Sequence, residues 1–323
     1  LMRAESPGPS VGKLTPHLRQ TALILYGLYM LLTALCIGFL LLGGRPLFDS
    51  LCIAFGTAGT GGFAIRNSGM ADYSAYLQNV VTVFMFLFGV NFSLYYLLLL
   101  RQFKSVFKNE ELRLYAGIAV GAIVLITIDI SRMYGSVREA LHHAAFQVSS
   151  IMTTTGFASV DFEQWPAFSK AVLLALMFVG ACAGSTAGGL KVSRVLLLLK
   201  SIRRTVRRAI HPRRVQSVRM DGRVVDAAVL NNVNAYLAVY CVILLLSFVV
   251  VSVDGYSIGT NLSAVASCFN NVGPGFELVG ATGNYGHYSD VSKLVLTADM
   301  LLGRLEIFPL LALFSPDTWS RKR

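Results

Sequence analysis

Charge is what this sequence has least of. Asp, Glu, Lys and Arg make up 14 % of its 323 residues, against 54 % hydrophobic. A soluble domain carries about 25 % charge, so the deficit excludes an ordinary water-exposed surface. Cysteine is sparse and unpaired: Cys36, Cys52, Cys182, Cys241 and Cys268 lie in apolar stretches with no C-x-x-C spacing. That excludes a disulfide framework or a thiolate metal site and leaves reduced packing residues. No Ser/His/Asp, Cys/His or paired-carboxylate arrangement sits in a catalytic frame, so the chain is not expected to be an enzyme. His142 and His143 are adjacent and point apart on a helix, which favours polar packing contacts over chelation. GSTAGGLK at 184–191 lacks the Lys that a phosphate loop needs directly after its second glycine. The glycine-rich turns at 59–62 and 273–275 lack the third glycine of a dinucleotide fingerprint. No signal peptide is expected, because residues 2–20 are polar and the run that follows is too long for a signal core.

What is present is apolar length. Residues 21–42, 76–100, 112–130, 167–199, 229–253 and 291–314 each reach membrane-spanning length, the fourth with an interruption, and give six expected crossings. Basic residues flank alternate ends: Arg19, then Arg101, Lys104, Lys108 and Arg113, then 200–223, then 321–323. The positive-inside rule makes those ends cytoplasmic. Asp72, Asp161, Glu163, Asp254, Glu277 and Asp290 collect on the outer side, where acidic residues attract cations.

Between the long runs a shorter pattern recurs. Short helices are predicted at 46–56, 137–152 and 259–269, each too short to cross a membrane and each running into a glycine turn. The turns are AGTGGF at 58–63, TTTG at 153–156 and NNVGPGF at 270–276. Taking Gly61, Gly156 and Gly273 as equivalent, the unit of helix, re-entrant loop and helix repeats at about 95 to 117 residues. Each unit also has a later glycine inside an apolar run, Gly89, Gly180 or Gly303. Backbone carbonyls can replace a cation's water if glycine turns them inward, and the hydroxyls of Thr60 and Thr155 can add oxygens.

The motifs TGGFA at 60–64, TTTGFAS at 153–159, NNVGPGF at 270–276, GSTAGG at 184–189 and GRLEIFP at 303–309 resemble those of Trk-type potassium uptake proteins, the TrkH/KtrB/HKT superfamily. The resemblance runs from about residue 14 to 319. It implies an all-α polytopic membrane protein built of repeated M1-P-M2 units, each a helix, a re-entrant pore helix with its filter loop, and a helix, around a pore. The implied divisions are a cytoplasmic linker 1–20, second, third and fourth repeats at 21–108, 109–200 and 227–323, and a basic linker 201–226. A first repeat is expected to be missing. Filter positions implied are Thr60, Gly61, Thr154, Thr155, Gly156, Asn271, Val272 and Gly273, with K+, the transported ion, at Thr60, Gly61, Thr155, Gly156, Val272 and Gly273. No covalent cofactor is implied. Partners implied are a cytoplasmic NAD- or nucleotide-binding regulatory subunit, a second copy of the chain and membrane lipid, in the inner (cytoplasmic) membrane. A sodium-conducting relative and a non-conducting protein of the same fold remain as alternatives.

Three features carry two readings each. The run that includes Gly180, Gly184, Ser185, Thr186, Gly188 and Gly189 is a gate loop obstructing the pore, or a small-residue stripe for helix packing. As a gate, a loop held by few side-chain contacts would move at modest energy. Arg304 faces the pore beneath the filter, or snorkels to the interface, with Glu306 on another helix face. The arginines at 203, 204, 207, 208, 213, 214, 219 and 223 set topology on anionic lipid, or dock the regulatory subunit. Nucleic acid is not expected there, since no stacking aromatics are interleaved.

Overall fold

The computed structural model describes residues 18–66, 68–211, 217–305 and 307–313. Most of the 1–20 linker, Arg213, Arg214, Glu306 and the basic cluster at 321–323 lie outside the described residues. Three long apolar helices form the outer frame: α1 (Leu18–Leu42), α6 (Glu110–Ile130) and α10 (Ala227–Val251). At about 1.5 Å per residue, the 25 residues of α10 cover roughly 37 Å, enough for a bilayer's hydrocarbon. Their outward faces carry bare Leu23, Ile128, Leu246 and Val249, so apolar surface faces outward here as it must in lipid.

Inside that frame sit three short helices: α2 (Leu47–Ala58), α7 (Val137–Met152) and α11 (Ile258–Asn270). Their starts are written in the sequence. Ser136 accepts from the Glu139 N–H with Glu139 three residues on, and Ser257 accepts from the Thr260 N–H. Residues 146–152 of α7 and 260 and 261 with 263–270 of α11 are buried, which suits a helix that enters protein rather than lipid.

The second long segment of each unit departs from expectation. Only the one at 167–199 was expected to break, yet all three do. The first becomes α3 (Ala75–Phe88) and α4 (Phe92–Leu99), bent by 91°. After the short helix α5 (Phe103–Lys108) and α6–α7, the second becomes α8 (Ala167–Phe178) and α9 (Val192–Ile210). The third becomes α12 (Asp290–Arg304) and α13 (Ile307–Leu313). Three of the six expected crossings are therefore single helices.

The reasons are local. Asn91 caps α4 by accepting from the Ser93 N–H, restarting a helix just after Gly89. Pro309 has no N–H to give to Leu305 and its ring would clash with that carbonyl, so α12 ends there. A two-residue β-hairpin, Arg219–Met220 against Arg223–Val224, links α9 to α10.

Candidate ion pathway

Each short helix ends in a loop of one backbone shape. φ is positive at Thr60 (50°) and Gly62 (64°), at Thr154 (55°) and Gly156 (83°), and at Asn271 (58°) and Gly273 (109°), with an ordinary φ between. The N–H groups turn back onto their own helix. Gly61 and Gly62 donate to Gly56 O (2.9 and 3.3 Å), and Thr155 and Gly156 to Ser150 O (2.9 and 3.3 Å). Val272 donates to Ser267 O (2.9 Å) and Gly273 to Ser267 Oγ (3.0 Å). A backbone alternating in handedness puts N–H groups on one side and carbonyls on the other, so these carbonyls face away from their helices.

This register corrects one alignment. Gly62, not Gly61, occupies the place of Gly156 and Gly273, because it has the positive φ and, like them, donates to the residue six positions back. The loops also pack in succession. A Cβ on Gly62 would lie 1.9 Å from Thr155 O, and one on Gly156 2.1 Å from Val272 O. Glycine is required at both, by φ and by the neighbouring carbonyl. A Cβ on Gly273 would meet nothing described within 4 Å, although φ there still disfavours other residues. At the opposite edge Phe63 is 84 % exposed, whereas Phe157, its equivalent, is 1 % exposed and packs on Gly56. The arc has an open side between Gly273 and Phe63.

Residues 179–191 lie against the inner ends of all three loops. The Thr60 hydroxyl donates to Thr186 O (3.0 Å), with Gly59 O at 2.8 Å, and Gly188 N–H donates to Thr154 Oγ1 (2.6 Å). A Cβ on Gly188 would sit 2.8 Å from Asn270 O. Arg304 Nη1 donates to the same Thr186 carbonyl (3.2 Å), which turns that arginine toward the segment. The Thr155 hydroxyl is 2.8 Å from that of Thr153.

The segment is not loosely held, contrary to expectation. Gly180 N–H donates to Leu190 O (2.8 Å) and Val192 N–H to Ala181 O (3.0 Å), pinching its neck. The α3–α4 break supplies partners that an unbroken helix could not: Cys182 N–H donates to Gly89 O (3.0 Å), and Phe92 N–H to Gly184 O (3.1 Å). Broken backbone at this depth is thus satisfied by other broken backbone. The small residues serve a fold-back in contact with the loops rather than a helix-packing stripe.

The three later glycines sit at close contacts. A Cβ on Gly303 would be 1.8 Å from Phe269 O, on Gly180 2.6 Å from Gly188 O, and on Gly89 2.3 Å from Tyr115 Oη. Sequence reasoning missed Asn270, whose Oδ1 accepts from Tyr240 (2.9 Å), and Glu111, whose Oε1 accepts from Ala183 N–H (2.6 Å) and Ser193 N–H (3.1 Å). An acidic residue in the first turn of a helix reads as an ordinary dipole partner, so nothing set Glu111 apart. His142 lies 2.8 Å from Asn79 Oδ1 and 2.6 Å from Gln78 Oε1, a polar packing contact.

Carboxylates expected on the outer side stitch loops together. Glu163 pairs with Lys170 (2.7 Å) and accepts from Glu277 N–H (2.8 Å). Glu277 in turn accepts from Thr260 and Ser257, and these hydrogen bonds hold its carboxyl below the usual range.

The family described as TrkH, cation transport protein, matches residues 1–322. The Trk system potassium uptake protein TrkH of Salmonella typhimurium is 35 % identical over 324 residues, covering 99 % of this chain and 67 % of its own length. The chain belongs to the TrkH family. Another relative, the Trk system potassium uptake protein TrkG of Escherichia coli, is 35 % identical over 99 % of this chain and 66 % of its own length. The crystal structure of the potassium transporter TrkH from Vibrio parahaemolyticus superposes with a TM-score of 0.86 at 33 % identity, covering 96 % of this chain and 67 % of that one. The TrkH fold here is all-α and polytopic, and the chain spans about two thirds of the length of these relatives.

Proposed function

We propose that this chain lines a potassium uptake pathway across the cell membrane, with residues 60–62, 154–156 and 271–273 as three sides of its selectivity filter. The observation that carries this is the loop geometry: three backbones of one shape, with Gly62 and Gly156 each against the next loop's carbonyl. Such an arc offers a dehydrated cation fixed carbonyl oxygens. The potassium uptake named for its relatives supports K+ as the ion carried.

Residues 21–108, 109–200 and 227–323 are three repeats of the pore unit, joined by the basic linker 201–226 and preceded by the linker 1–20. The open side between Gly273 and Phe63 is where a fourth unit closes the filter. Residues 179–191 are the gate, since they touch Thr60, Thr154 and Asn270 from one side and are capped by Arg304. A cytoplasmic nucleotide-binding subunit moves the gate by pulling on α9, and a second copy of the chain completes the assembly. The Trk system naming of the relatives supports partner subunits.

The test is uptake in cells stripped of other potassium transporters. Deleting 184–188 should raise flux while leaving the K+ over Na+ preference unchanged. A deleted protein that inserts normally and conducts no faster would place the barrier elsewhere.

A further inference from the structure

A gate held by many hydrogen bonds opens only if some contact releases it, so the contacts at its two ends matter most. Glu111 makes both. One oxygen of its 5 % exposed side chain receives Ala183 N–H, inside the gate segment, and Ser193 N–H, where α9 begins. Among the described residues its hydrogen bonds go to these two groups and not to the filter loops. The same helix turn is clasped from the cytoplasmic side. Glu110 N–H donates to Asp221 Oδ1 (2.9 Å), Asn109 Nδ2 donates to Asp221 Oδ2 (2.9 Å), and Lys200 pairs with Glu110. Asp221 is at the tip of the hairpin between α9 and α10, and Lys200 on α9 also donates to Arg219 O (2.7 Å).

We infer that Glu111 is a positioning residue that latches the 179–191 segment closed, and that movement of the 219–224 hairpin reaches it through the first turn of α6. The inference rests on the gate reading above. Tension on the basic connection pulls Asp221 and Lys200, these shift Asn109 and Glu110, and Glu111 withdraws from Ala183 and Ser193. The N–H groups of Ala183 and Ser193 then lose their shared acceptor together.

The experiment compares Glu111→Ala in the parent protein and in the 184–188 deletion, measuring flux and ion preference in cells producing the whole transporter with its partner. Losing a buried hydrogen bond changes an equilibrium by about fivefold. Glu111→Ala should therefore raise flux severalfold in the parent, with K+ over Na+ preference unchanged, and add nothing in the deletion. Glu111→Gln, which keeps the size and puts an amide where one carboxylate oxygen was, should give a smaller rise and serves if the alanine variant fails to insert. Asp221→Ala should also raise flux, by a smaller factor. If the deletion raises flux but neither Glu111 variant does, the latch is wrong and the gate stands. A rise that persists in the deletion also overturns the latch, because Glu111 would then act elsewhere. A deletion that raises nothing overturns gate and latch together. Asp221→Ala without effect, beside an active Glu111 variant, removes the hairpin from the account.

Discussion

Arg304 shows how one side chain ties α12 to the 179–191 segment. A guanidinium within an apolar span costs about 3 kcal/mol unless it finds water, a partner or carbonyls, and here it finds Thr186 O. That carbonyl also receives the Thr60 hydroxyl, so Arg304, the 179–191 segment and the loop at 60–62 share one oxygen. Arg304→Ala should raise potassium flux at unchanged selectivity, measured by uptake in starved cells; unchanged flux would return the arginine to the interface. Glu277 gives a pH prediction at the outer rim. Its hydrogen bonds depress its carboxyl in the folded protein, so its contribution to stability is present above the ordinary Glu range and is lost as pH falls through the depressed value. Glu277→Gln should lower the melting temperature near neutral pH, with the difference from the parent shrinking as pH falls through the depressed value. A difference that grows on acidification would contradict the assignment.

The elements were legible where a local rule governs them. The short helix over Val137–Met152 starts at a Ser-x-x-Glu box and ends at the threonine turn, and both signals stand in the sequence. The apolar frame was legible for the same reason, since composition and length suffice for a span. The breaks at Gly89 and Leu305 were not, although Asn91 as a cap and Pro309 as a breaker were there to be read. In an apolar run a single glycine or proline is usually tolerated; at Gly89 the local cap is reinforced by the 179–191 segment, which pairs with the backbone that the broken helix frees. The Gly61–Gly62 register was hidden because both are glycine and both donate to Gly56, and only φ tells them apart. Glu111 was hidden because its partners are backbone groups far away in sequence.

At the scale of the molecule, basic charge and gate meet on α9, which carries Arg203, Arg204, Arg207 and Arg208 beyond the segment it anchors. Neutralising these four together should weaken co-purification with the cytoplasmic subunit while insertion is kept; altered topology with the subunit still bound would make them lipid-facing anchors instead. The central claim, however, concerns the proposed filter arc, in which Gly62 and Gly156 each lie against the next loop's carbonyl. The most direct measurement is the K+ to Na+ flux ratio of three single variants, Gly61→Ala, Gly62→Ala and Gly156→Ala, in one background. A Cβ at Gly61 meets only the Phe63 ring at 3.3 Å, while at Gly62 and Gly156 it meets carbonyl oxygens at 1.9 and 2.1 Å. The ratio should fall by about tenfold, the effect of roughly 1.4 kcal/mol on one ion site, for Gly62→Ala and Gly156→Ala, and stay near the parent's for Gly61→Ala. A loss confined to Gly61→Ala, or an unchanged ratio in all three, would contradict the arc.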